Sequence, residues 1–143
     1  MQKIKILFVI LFGFLIFSCN SVKEPIAIWE APSGSKYKIL EIVDFYTPQD
    51  GNKYYYIKFY SEDISDKDTL YKKFFDIYQC VALKNINLDG YTHVALEAIP
   101  IMLPKFGVVE YEVHRHNVPL KNITDLKEHL KTKGIKSLSL TNE

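Results

Sequence analysis

Cysteine is scarce in this chain. There are two, Cys19 and Cys80, so at most one disulfide can form and the fold must rest on a hydrophobic core. An excess of charge of one sign is also missing: 18 lysines and arginines stand against 17 aspartates and glutamates. That balance yields neither the basic face that nucleic acid demands nor an acidic tail. The motifs of the common enzyme classes are absent as well. No Gly-x-Ser-x-Gly elbow, His-Glu-x-x-His pair, phosphate-binding loop or dinucleotide fingerprint occurs, so no motif assigns a catalytic residue. Internal repeats and low-complexity segments are not found.

One long apolar run is present, Ile6 to Phe17, preceded by Lys3 and Lys5 and followed by Ser18 and Cys19. Crossing a bilayer takes about 17–25 apolar residues, and this run is shorter and has no basic stop behind it. It also lacks the polar positions at helical spacing that a core helix would show. A basic start, a short apolar centre and a small residue at the end form the layout of a secretory signal. Ile16-Phe17-Ser18-Cys19 resembles the lipobox of bacterial lipoproteins, with the bulky Phe17 in its tolerant position. The resemblance implies a diacylglyceryl thioether on Cys19, cleavage after Ser18 and acylation of the new amino terminus. Several acyl chains anchor stably where one, at ~0.8 kcal/mol per buried CH₂, binds marginally. The implied address is the bacterial cell envelope, at the outer membrane. Residues 1–18 are then the signal peptide, and residues 19–26 the lipidated cysteine and tether. Lys23-Glu24 is similar to a charged motif that marks some lipoproteins for the cell surface, and a plain solvated linker explains it as well. With Cys19 lipidated, Cys80 has no intramolecular partner, and its place on the margin of a helix stripe suits a small buried hydrophobe.

Residues 27–143 read as a single α+β domain, with a mostly antiparallel sheet of four to five strands in ββαββα(β) order. Loss of the leader removes two lysines and leaves the remainder near neutral. About 120 residues suffice for one core. Tyr37–Tyr46 and Lys53–Tyr60 are rich in β-branched and aromatic residues. The turn residues Thr47-Pro48-Gln49-Asp50-Gly51-Asn52 between them predict a hairpin with a loop longer than two residues. Ser65 or Asp66 is placed to cap a helix, with Asp68 in its first turn. Leu70, Phe74, Ile77, Tyr78 and Val81 give that helix an apolar stripe to lay on the sheet, widened by Tyr71 and Phe75. A third strand region runs from about Tyr91 toward Met102, where Pro100 demands an edge position or a break. Val108–His116 alternates, predicting Val109, Tyr111 and Val113 inward and Glu110, Glu112, His114 and His116 outward. A last helix over Ile123–Lys133, capped by Asn122, presents Leu126 and Leu130, and Gly134 suits its stop. The Ser-Leu-Ser-Leu stretch beyond it allows a short closing strand.

Two side-chain rows carry the candidate sites. Glu112, His114 and His116 are the candidate metal ligands. Alternate strand residues stand roughly 6.6–6.8 Å apart, so two imidazoles can lean onto one ion with a carboxylate as third ligand. A solvated polar row is the plainer reading of the same pattern. Tyr54, Tyr56, Lys58 and Tyr60 share a strand face and form the candidate binding row. Rigid rings with hydroxyl tips suit a sugar or a protein partner. That face could instead be covered by Ile26–Glu30 or by the last helix. Asp63, Asp66 and Asp68 lack the calcium-loop spacing and read as helix capping. Asp68-Thr69-Leu70 is similar to a short O-glycosylation motif of exported bacterial proteins. A nucleophilic role for Cys80 is disfavoured, because a reactive thiolate needs an accessible, electropositive site.

The expectation from sequence is a membrane-anchored envelope lipoprotein acting as a non-enzymatic protein-binding module: an accessory subunit, an inhibitor or an immunity protein. The alternative is a ligand-binding lipoprotein, for a metal through His114 and His116 or for a glycan through Tyr54, Tyr56 and Tyr60. Neither reading calls for a cofactor beyond the covalent lipid on Cys19, or for a nucleic-acid partner.

Overall fold

The computed structural model describes residues 24–100 and 113–133. Five strands run β1 (Ala27–Glu30), β2 (Lys36–Thr47), β3 (Asn52–Tyr60), β4 (His93–Ile99) and β5 (His114–Pro119). Helix α1 (Lys67–Leu83) falls between β3 and β4, and α2 (Leu120–Lys133) follows β5. The strands form one sheet in sequence order. Every neighbouring pair is antiparallel except β3 and β4, which run parallel. The parallel pair needs a crossover, and α1 supplies it. This is the α+β fold that the sequence implies, with one more strand at its start. Ile26–Glu30 does not cover a face: its strand pairs along the sheet edge, with Trp29 opposite Tyr37.

The hairpin between β2 and β3 closes as its turn residues dictate. Gly51 takes φ +70°, a conformation that costs a side-chain-bearing residue more, and its N–H donates to the Thr47 carbonyl at 2.9 Å. The Asn52 N–H donates to the Asp50 carboxylate at 3.0 Å. Within β2 the register slips between Ile39 and Glu41, leaving Leu40 as a bulge residue, itself buried. A bulge adds one residue to one strand only and so reverses the facing of everything beyond it. Ile39 and Ile42 therefore both reach the core, while Glu41, Val43 and Phe45 point to the opposite face, beside Lys58, Tyr56 and Tyr54.

Asp66 caps α1, its side chain accepting the Asp68 N–H. Leu70, Phe74, Ile77, Tyr78 and Val81 are buried as the periodicity predicts, whereas Tyr71 and Phe75 are exposed and do not widen the stripe. These residues meet Ile57 and Phe59 of β3, Val94, Leu96 and Ala98 of β4, and Ile123 and Leu130 of α2 in one core. Each fully buried side chain of this size contributes roughly 1.5–3 kcal/mol. Strand β4 ends at Ile99, just before Pro100, and is interior rather than an edge, so the proline breaks the strand without costing a ladder bond. Helix α2 begins at Leu120, earlier than the expected Asn122 cap, and the Leu120 N–H bonds to the Thr92 carbonyl at 2.8 Å. Residues 101–112, with most of the expected Val108–His116 strand, and the Ser-Leu-Ser-Leu stretch lie outside the described residues. So do the leader, Cys19 and the tether up to Lys23.

Candidate binding site

The two faces of the sheet are used differently. Odd-numbered residues of β3 (Tyr55, Ile57, Phe59) pack under the helices, so the even-numbered Tyr54, Tyr56, Lys58 and Tyr60 share the other face. That is the row expected from sequence. The structure brings three of its members together and sets one aside. Tyr54, Tyr56 and Lys58 line a cavity of about 450 Å³. Tyr60 is not in its lining and instead lies under Lys38, whose Nζ is 5.8 Å from the ring centre. Phe45 joins the lining because of the β2 bulge, its ring centre 6.0 Å from that of Tyr54 and 6.2 Å from that of Tyr56. Tyr54 is held from its other side by a stacked His93 ring at 5.0 Å.

The polar lining centres on Glu97. This residue is 5% exposed, yet its strand neighbours from Val94 to Ile99 are otherwise apolar. Its Oε2 accepts from the Tyr56 hydroxyl and, at 2.7 Å, from Nε of Arg115. Burial, reinforced by the hydrogen bond to Glu97 and its negative charge, pushes the Tyr56 phenol up to about 12, so it remains a donor at neutral pH. The same carboxylate raises the pKa of Arg115 and keeps it cationic. Nε of Arg115 is committed to Glu97 and the guanidinium also lies beside Tyr56, while the side chain is 66% exposed, so part of the guanidinium edge faces solvent. Lys58 is paired with Glu41 at 2.8 Å. Asn117, from the same strand as Arg115, completes the polar wall. The cavity thus combines aromatic surface with a fixed set of donors and acceptors, in the size range of small-molecule sites.

The second row lies on the other face of the sheet, although His116 also contributes to the cavity lining. His114 and His116 share a face, as alternation requires, but it is the helix side, opposite Ala98 and Leu96 of β4. The His116 ring stacks on Phe74 at 5.6 Å, and its Nδ1 is 2.9 Å from the Tyr78 hydroxyl. Burial holds its imidazole below the ordinary histidine pKa. The outward assignment of these histidines is therefore corrected. Val113, just before β5, and Val118 within it have opposite parity, and packing chose Val118 for the core side. Arg115, between the two histidines, takes the outward position. Glu112 lies outside the described residues, and among the described residues no group of three or more potential ligands is placed to hold a metal ion.

Cys80 is a free, buried thiol. Burial pushes it up to about 11, leaving it protonated and poorly nucleophilic. Asp63 accepts from Ser65, and Asp66 from Asp68 and Thr69, so these carboxylates serve turn and cap. Trp29 packs in the core beneath the Lys84 ammonium. Sequence reasoning missed Phe45, Glu97, Arg115 and Asn117. A signal for Glu97 was available: a lone charge within His-Val-Ala-Leu-Glu-Ala-Ile.

The fold and cavity define a small α+β protein with one face given to its core and the other to polar and aromatic contacts. Compared with protein-family models, curated proteins and solved structures, the chain matches none.

Proposed function

We propose that this chain is a lipid-anchored protein of the bacterial envelope whose mature domain works by binding rather than catalysis, with a ligand seated in the cavity beside Tyr54, Tyr56 and Arg115. The anchor half of this reading rests on Lys3 and Lys5, the apolar run Ile6–Phe17, and Ile16-Phe17-Ser18-Cys19. Among the described residues no helix is long and apolar enough to cross a membrane. The proposed attachment, resting on the lipobox resemblance, is the thioether on Cys19. The binding half rests on one observation: a cavity of about 450 Å³ in which Phe45, Tyr54 and Tyr56 face a carboxylate fixed by two donors. Preorganised polar groups beside rigid rings lower the entropy cost of holding a ligand.

A protein partner is the second reading. Phe45 and Tyr46 at the hairpin are 52% and 59% exposed, and protruding aromatics serve as anchors in interfaces. Native mass spectrometry tests both readings on the chain purified from its own membranes. The proposal expects acyl mass on Cys19, no leader, and a small bound ligand that Tyr54→Ala releases. A bare Cys19 defeats the anchor, and a stoichiometric protein in place of a small ligand favours the second reading.

A further inference from the structure

We infer that the cavity takes an uncharged saccharide, its ring lying against Phe45 and Tyr54 and its hydroxyls meeting Glu97, Arg115 and Asn117. This inference rests on the binding reading above and adds the chemistry of the ligand.

Charge is the first ground. Both cations of the lining are already paired with carboxylates, Arg115 with Glu97 at 2.7 Å and Lys58 with Glu41 at 2.8 Å. An anion entering here would have to compete with those two carboxylates, and a cation would meet the guanidinium and ammonium groups. Two cations set beside two carboxylates favour neither sign strongly, and on that ground the occupant is inferred to be neutral.

Polarity is the second ground. A purely apolar ligand would leave the guanidinium donors and the Asn117 amide without partners after displacing their water, and that costs affinity. The occupant must therefore carry many hydroxyl-like groups that both donate and accept. Adjacent hydroxyls on a sugar ring suit a site that sets a guanidinium beside a carboxylate, because one group donates where the other accepts. The third ground is shape. Sugar rings have an apolar C–H surface, and the Phe45 ring, half exposed and 6.0 Å from Tyr54, offers the matching aromatic surface. The volume of about 450 Å³ suits a short saccharide.

The experiment uses the full lipidated chain in a detergent without a sugar head group. Neutral oligosaccharides, acidic oligosaccharides, inorganic phosphate and divalent metal are titrated in parallel by calorimetry. The expected result is binding of neutral saccharide alone, with less than twofold change in affinity between low and high salt. Phe45→Ala and Tyr54→Ala should each weaken it at least tenfold, and Asn117→Ala several-fold. Phe75→Ala, on the exposed side of α1, should leave it unchanged. Preference for the acidic sugar, phosphate or metal overturns the inference, as does neutral binding that survives both aromatic substitutions. A non-saccharide ligand released by Tyr54→Ala also overturns it while leaving the binding reading intact. Absence of any ligand, in this titration and on the native protein, overturns both.

Discussion

Arg115 and Glu97 stand directly opposite each other on β5 and β4, with Nε 2.7 Å from Oε2, one side chain 66% exposed and the other 6%. The pair is thus a surface cation satisfying a buried anion, and Tyr56 reaches the same oxygen from β3. Removing either donor leaves the carboxylate half satisfied. Arg115→Ala should cost about 1–2 kcal/mol, the value of a hydrogen bond to a charged group discounted for the exposure of the arginine. Tyr56→Phe should cost a similar amount. Because both donate to one atom, a double-mutant cycle by urea unfolding should show coupling of at least about 0.5 kcal/mol. Strict additivity would mean the three groups do not act together.

Acid should loosen the domain through His116. Burial lowers its folded pKa, so between that value and the ordinary histidine range the unfolded chain binds a proton that the folded chain does not. Stability is then fully present above the ordinary value of about 6.5 and falls as the pH drops through the lowered one. His116→Phe keeps the ring stack on Phe74, while Tyr78 can still donate to the backbone carbonyl of residue 116, 3.1 Å away in the native chain. That variant should flatten the slope of the urea midpoint between pH 7 and pH 5. An unchanged slope would assign the effect to other groups.

At the opposite end of the sheet, the Tyr37 hydroxyl donates to Asp76 Oδ2 at 2.6 Å, with Ser33 Oγ donating to the same oxygen at 3.0 Å. Asp76 is buried, so Tyr37→Phe should destabilise by about 1–3 kcal/mol. In an alkaline titration of phenolate absorbance, Tyr37 and Tyr78 should ionise far later than free tyrosine, held up chiefly by burial. Their loss of stability begins above the unfolded value of about 10, where the unfolded chain has shed protons that the folded one retains. Early release of all phenolic protons near 10 would contradict this packing.

Cys80 provides a test of core integrity. With its thiol pushed up to about 11 and buried, labelling by a disulfide reagent at pH 8 should be slow in the native chain and fast in urea. Cys80→Ala should cost at most about 1–2 kcal/mol, as loss of a small buried hydrophobe, and leave ligand binding intact. Rapid native labelling would place the thiol at an accessible surface.

Local chemistry was legible in the sequence, and pairing was not. The Asp50-Gly51 turn, the Asp66 cap and the Leu70–Val81 stripe depend on neighbours a few residues away, so composition and spacing state them. The shared face of Tyr54, Tyr56 and Lys58 follows from the twofold period of a single strand. Which residues join that row from other strands is a matter of register. The slip at Leu40 turned Phe45 toward Tyr54. The β5 register chose Arg115 over the histidines for the face of Glu97. Register is set by side chains far apart in the chain competing for one core, and a one-residue change flips an entire strand. The sequence alone therefore determined the strand and helix material and one row of the cavity, while tertiary packing decided what stands opposite that row.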